Sequence, residues 1–245
     1  GHNEQIRKIE IVRQAMEKIL EGKDIKTWSG KKATLHTFKL SDGSEVALTP
    51  AQIMNLYLLA KRKQAEGHLI NGGITLSNDI EKVARKEVEK LNKLEDKKKA
   101  EKYNSLASLS EVKHLSVDDI ANITAVLTAE QKEVAEAMQR IMSSDCAAWG
   151  NEITQALYGY DGYTEKDYVP IISTSDFIRS MDSNAPDNVS YYALQNQGFT
   201  KQTVEKANNP IVVGDMFEVF ANHCNNMILY NCYSIASSDA MKWLD

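Results

Sequence analysis

Apolar residues near the start of the chain recur every three or four positions: Ile6, Ile9, Val12, Met16, Ile19 and Leu20. That spacing places them on one stripe of a helix over residues 4–21, ended by Gly22, and the stripe needs a surface to cover it. The period then changes. Thr34, His36, Phe38 and Leu40 alternate with Leu35, Thr37 and Lys39, Ser41-Asp42-Gly43-Ser44 makes a turn, and Glu45-Val46-Ala47-Leu48 resumes. Asp-Gly between two such runs predicts a β-hairpin over residues 33–48, because glycine accepts the positive φ of the turn. His36 reads as a strand residue.

Thr49-Pro50-Ala51-Gln52 joins a capping hydroxyl, a proline suited to a first turn and a glutamine that completes a capping box. The helix it opens carries Ile53, Leu56, Tyr57 and Leu59 and is expected to end at Gly67. Asn71-Gly72-Gly73 then reads as a plain turn. It lacks the buried strand before it and the Lys-Ser/Thr after it that a phosphate loop needs. Residues 78–103 are rich in Lys and Glu, with a thin seam at Ile80, Val83, Ala84, Val88, Leu91 and Leu94, and predict one exposed helix. A flexible stretch is expected over 104–115. It divides the chain into residues 1–105, with the first helix, the hairpin and the charged helices, and a helical core domain, residues 106–245.

Ser116 opens a short helix, and Thr128-Ala129-Glu130-Gln131 repeats the capping-box logic. The helix after Thr128 runs to Gly159 through Val134, Met138, Ile141, Met142, Cys146, Trp149, Ile153 and Leu157. Tyr158, Tyr160, Tyr163 and Tyr168 crowd its exit. They are candidate binding residues, since aromatics at this density line cores and binding surfaces alike. Tyr168-Val169-Pro170-Ile171-Ile172 is held extended by its proline. Residues 173–198 read as a long polar loop, of the kind that is functional or wrapped over a partner. Thr200 opens a short helix, Asn208-Asn209-Pro210 breaks it, and Ile211-Val212-Val213 is apolar. Asp215-Met216-Phe217-Glu218 starts a last helix, through about Ile235, whose apolar face carries Phe217, Phe220, Cys224, Met227, Ile228 and Tyr230. The fold class expected is mainly α, a multi-helix bundle-like core with one small β-hairpin near the N-terminus.

At 245 residues, 42% hydrophobic and 26% charged, the composition is that of a globular chain able to bury a core. No apolar run reaches membrane-spanning length and no secretory signal opens the chain, so neither membrane insertion nor secretion by a signal peptide is expected. Gly1-His2-Asn3 reads as a tag remnant on an excised segment, and Met241-Lys242-Trp243-Leu244-Asp245 as a helix that continues, so a piece of a larger protein is expected. Residues 1–125 carry 22 Lys+Arg against 18 Asp+Glu, and residues 126–245 carry 7 against 16. A basic first half could meet nucleic acid, but its interleaved acids favour a solvated helix face.

Cys146, Cys224 and Cys232 have no paired-ligand spacing, so no metal site is expected, and reduced, partly buried thiols are. Cys224 and Cys232 stand two helical turns apart, too far for a bridge. Among the histidines, His2 is tag-like, His68 follows a glycine, and His114 falls in the soft boundary. Only His223 sits on a strongly apolar helix, which makes it the weak catalytic candidate and a candidate binding residue. It points away from its neighbour Cys224, so the two cannot form a nucleophile–base pair. A Cys146–His223 pair has no support in the spacing. Asp145 and Glu152, on one helix face, have a spacing common in any charged helix. No nucleophile elbow, metalloprotease, dinucleotide or phosphate-loop motif occurs, so an enzyme is the minority reading and no cofactor is expected.

The tract from Asn208-Asn209-Pro210 through Gly214-Asp215-Met216-Phe217 to His223, Met227, Tyr230 and Asn231 resembles segments of large polyvalent virion-associated proteins of phages and prophages of low-GC bacteria. Trp149-Gly150-Asn151-Glu152, Leu157-Tyr158-Gly159-Tyr160, Tyr168-Val169-Pro170-Ile171 and the Leu48-Thr49-Pro50 helix start carry the same resemblance, which covers residues 45–245 and is strongest after 128. Proteins of that family are often joined to a portal-associated minor head domain. The resemblance implies a helical module of a multidomain protein, virion-associated or delivered to the bacterial host cytoplasm. It carries over no catalytic residues. Partners implied are other segments of the parent polypeptide, virion proteins or further copies in a homo-oligomer. The alternatives are a phage-delivered effector or enzyme acting on a host target, and a nucleic-acid-binding module.

Overall fold

The structure, a computed structural model, describes residues 2–90, 96–181 and 208–242. It is mainly α, with a small antiparallel hairpin near the N-terminus. The order is α1 (His2–Leu20), a 3-10 turn (Ile25–Thr27), β1 (His36–Lys39), β2 (Glu45–Leu48), α2 (Pro50–Ala60), α3 (Lys63–Gly72), β3 (Ile74–Leu76), α4 (Ser77–Val88) and α5 (Asp96–Ala107). There follow α6 (Val117–Ala125), α7 (Ala129–Ile141), a π-helical turn (Met142–Cys146), α8 (Ala147–Tyr158), α9 (Thr174–Ser180), β4 (Ile211–Val213) and α10 (Met216–Lys242). Among the described residues no helix is long and apolar enough to cross a membrane.

Local chemistry sets the helix starts. Thr49 Oγ1 accepts from the Gln52 N–H at 3.2 Å while Gln52 Oε1 accepts from the Thr49 N–H at 2.9 Å. Thr128 and Gln131 form the same reciprocal pair, as do Ser116 and Asp119. Each box satisfies backbone donors that a helix start leaves open. Asp215 Oδ1 accepts from the N–H groups of Phe217 and Glu218 at the head of α10.

The largest apolar cluster draws on both sides of residue 105. It joins Leu48, Ile53, Leu56 and Leu59 to Ile123, Met138, Cys146, Trp149, Phe220 and Met227. In α1 the expected stripe packs on the core from Val12 to Leu20 but not in its first two turns. Lys8 is buried and Val12, Ala15, Met16 and Ile19 pack on the core, whereas Ile6 (53%) and Ile9 (44%) are exposed.

Several expectations are corrected. No helix ends at Gly67: α2 stops at Ala60, and a second helix, α3, runs through Gly67 to Gly72. Residues 78–103 are not one exposed helix but parts of α4 and α5. Ile80, Ala84 and Val88 are buried in a second cluster with Tyr103, Leu106, Ile178 and Val212; Val83 is exposed, and Leu91 and Leu94 fall outside the described side chains. Within the stretch 104–115, expected to be flexible, α5 continues to Ala107 and Lys113 bonds the backbone of Ile74 in both directions at 2.8 Å. Residues 174–180 of the expected loop are a helix, capped by Ser173. The remainder of that loop and the helix expected at Thr200 lie outside the described residues.

One element had no counterpart in the sequence pattern. β3 and β4 pair in parallel, with Thr75 opposite Val212, and isolated bridges from Lys113 and Ser173 flank them. The glycines before β3 permit this approach. A Cβ on Gly72 would stand 2.3 Å from the Asn209 carbonyl oxygen, and one on Gly73, at φ 73°, would stand 2.6 Å from that of Lys113. His68, buried in α3, meets the Asn209 carbonyl through Nε2 at 2.7 Å.

Candidate functional site

The long helix expected after Thr128 is present as α7, the π turn and α8, and it ends at Gly159, which takes the left-handed conformation at φ 77°. The chain then reverses. Residues 161–169 run back along the same helix as a strap, fastened by side chains that reach its backbone. Thr154 Oγ1 accepts from the Gly162 N–H at 3.1 Å. Asn151 Oδ1 accepts from the Tyr163 N–H at 2.8 Å, and its Nδ2 donates to the Tyr163 carbonyl at 3.0 Å. Ser143 Oγ, in the π turn, accepts from the Tyr168 N–H at 3.1 Å, and Gln139 Nε2 donates to the Asp167 carbonyl at 3.0 Å. From α2's far end, Arg62 pairs with Glu165 at 2.6 Å and reaches the Val169 carbonyl at 3.4 Å. Side chains at 154, 151, 143 and 139 thus hold strap positions 162, 163, 168 and 167. A strap without its own ladder has its polar groups satisfied this way.

Gly150 makes room for the strap. A Cβ there would lie 2.5 Å from the Tyr163 ring and 2.7 Å from Met227 Cε. Tyr163 consequently sinks between α8 and α10, with its ring centroid 6.3 Å from that of Tyr230. Tyr168 packs on His223, centroid to centroid 5.2 Å. Cys146 and Cys224 lie beneath, their sulfurs 3.6 Å apart.

The four candidate tyrosines therefore part company. Tyr163 and Tyr168, both on the strap, are buried, whereas Tyr158 and Tyr160, either side of Gly159, are exposed with ring centroids 6.1 Å apart. His223 is 8% exposed, and burial pushes its imidazole down to about 3. A histidine held there is neutral across the physiological range, and its ring packs against Tyr168. Burial likewise raises the Tyr163 and Tyr168 phenols well above their ordinary range. The hydrogen bond to Cys224, then burial, raises the Cys146 thiol far above the usual thiol range, which keeps it protonated.

A second polar group had no signal in the apolar pattern. Lys8, 2% exposed, donates to Glu4 at 2.8 Å and to Asn231 Oδ1 at 2.7 Å, with its ammonium 5.7 Å from the centroid of Trp149. Asn231 Nδ2 donates in turn to the Trp149 carbonyl at 2.8 Å and to Glu152 at 2.7 Å. This network ties α1, α8 and α10 together. It accounts for Glu152 without a partner carboxylate at Asp145, which is exposed. Among the described residues, no cluster of three or more His, Cys, Asp or Glu could hold a metal ion.

The outward side of α1 differs in character. Asn3, Ile6, Arg7, Glu10, Ile11 and Gln14, all on α1, line a shallow open surface, and Ile6, Ile9 and Ile11 are 53%, 44% and 38% exposed. No protein-family model matches the chain, and no curated protein and no solved structure matches it.

Proposed function

We propose that this chain is a structural and interaction module of a larger phage or prophage virion-associated protein, with no catalysis of its own, and that it binds a neighbouring segment of its parent polypeptide through the outward face of α1. One observation carries the reading. Of the five side chains that the sequence nominates, His223, Tyr163 and Tyr168 are buried in the contact that fastens the strap and the long helix to α10, while Tyr158 and Tyr160 are exposed beside Gly159. The tracts behind the phage resemblance serve the same contact. Gly150 admits Tyr163, Asn151 holds its backbone, Glu152 and Asn231 bond each other, and Asp215 caps α10. The chemistry of this region is that of a rigid support. On the outward side of α1, Ile6 and Ile11 are exposed among Asn3, Arg7, Glu10 and Gln14, a mixed apolar and charged surface of the kind a protein partner can cover.

Co-purification of the chain with the segments that flank it in its parent tests this. A defined complex is expected, and Ile6→Glu with Ile9→Glu should weaken it at least about tenfold, as losing two apolar anchors does. A chain that stays monomeric and has no affinity for those segments would remove the proposal. For the effector alternative, His223→Gln in a host-interference assay is the corresponding test, and loss of activity in a variant that remains folded would favour it.

A further inference from the structure

Cys146 closes the π turn in the middle of the long helix, and Cys224 lies in the first half of α10, 78 residues away in sequence. Both thiols are buried, neither is in a disulfide, and the Cys146 S–H points at the Cys224 sulfur across 3.6 Å. Both cysteines belong to the main apolar core, with Met142, Phe220 and Met227 of the same two helices. Cys232, two turns further along α10, is only half-buried. The three cysteines thus comprise one facing pair and one bystander.

We infer that Cys146 and Cys224 form an oxidation site, at which a small peroxide converts the facing thiols into an internal disulfide that staples the long helix to α10. The sulfurs must close from 3.6 Å to about 2.05 Å to reach the length of a disulfide bond. A π turn, with its irregular backbone bonding, is the part of the long helix best able to accommodate that shift. The chemistry balances with one peroxide. The Cys224 sulfur attacks a peroxide oxygen, the O–O bond breaks, and the departing hydroxide takes up the Cys224 thiol proton and leaves as water, giving a sulfenic acid on Cys224. The Cys146 sulfur then attacks the Cys224 sulfur, the S–O bond breaks, and the departing hydroxide takes up the Cys146 proton. Two thiols and one hydrogen peroxide become one disulfide and two waters. Hydrogen peroxide is small enough to reach a buried pair during local opening, where a bulky disulfide reagent is not. The product would bind the π turn, and with it Ser143 and the strap, to α10.

The test uses the whole chain. After reduction and buffer exchange it is treated with hydrogen peroxide, denatured with an alkylating reagent present, and mapped as peptides. The expected result is a dithiothreitol-reversible link between the Cys146 and Cys224 peptides, with two hydrogens lost and Cys232 still alkylated. Tm should rise by ~10 °C, the size expected for a cross-link closing a loop of this length in a domain of this size. In Cys146→Ala, the linked peptide and the Tm rise should both vanish, while circular dichroism reports whether the variant is folded. Alkylation of Cys146 and Cys224 to the untreated level would overturn the inference. So would a link made only to Cys232 or to another copy, or separate oxidation of the two sulfurs to sulfinic acids.

Discussion

Asn151 holds both backbone polar groups of Tyr163, accepting from its N–H at 2.8 Å and donating to its carbonyl at 3.0 Å. A residue on α8 thereby fixes the start of a strap that has no ladder of its own. Replacing it leaves a donor and an acceptor of a buried residue to find other partners. Asn151→Ala should cost about 1–3 kcal/mol, or roughly 3–10 °C in Tm. Asn151→Asp should cost a similar amount, since it keeps the acceptor but sets a carboxylate against the Tyr163 carbonyl. Thermal unfolding of both variants checks this, and unchanged melting would show that the clamp contributes nothing.

Gly150 has a steric role against the same tyrosine. Gly150→Ala places a methyl group 2.5 Å from the Tyr163 ring, so the ring or α10 must move. The expected cost is about 1–3 kcal/mol, in the range of core overpacking. A double variant with Tyr163→Leu should lose less than the two single losses added together, because the clash is relieved. Thermal unfolding of the three variants measures this, and strictly additive losses would contradict it.

His223 gives a pH dependence of definite sign. Its folded pKa, about 3, lies below its ordinary 6.5 because burial penalises the charged ring. Below 6.5 the unfolded chain therefore takes up a proton that the folded chain refuses. Stability from this residue is complete above pH 6.5 and is lost as pH falls toward 3, by about 1.4 kcal/mol per unit. NMR of the imidazole should find it neutral at pH 5, and His223→Gln should flatten the fall in Tm between pH 6 and 4. A His223 that titrates near 6.5 contradicts the buried packing described for it.

Lys8 tests how firmly α1 is seated. Lys8→Met keeps the stem's packing but leaves Asn231 Oδ1 without its ammonium donor. A loss of about 1–2 kcal/mol is expected, and Lys8→Ala should cost more by adding a cavity. Urea unfolding measures both.

Much of this fold was legible in local patterns. The boxes at Thr49 and Thr128, the Asp42-Gly43 hairpin and the stop at Gly159 follow from backbone donors and positive φ, which neighbouring residues alone determine. Apolar periodicity was less reliable where a polar group replaced a hydrophobe. Lys8 occupies a buried position through Asn231 and Trp149, partners far away in sequence, so only the second half of the expected stripe, Val12, Met16, Ile19 and Leu20, packs on the core, and Ile6 and Ile9 are exposed. The parallel pair β3–β4 has three residues in each strand, too few to display a period, and its partners are separated by most of the chain. At the site, His223 and Tyr168 were both singled out from sequence, and the structure packs them together. The contact between Cys146 and Cys224 had no trace in their spacing, because only the packing of α10 on the long helix brings them together.

The most direct test of the proposed role is hydrogen exchange on the chain alone and on the chain mixed with the flanking segments of its parent. Added protection should concentrate on α1, residues 2–20, while the strap and the residues around His223 exchange equally slowly in both samples. No change anywhere, or a change confined to the strap and α10, would contradict the account.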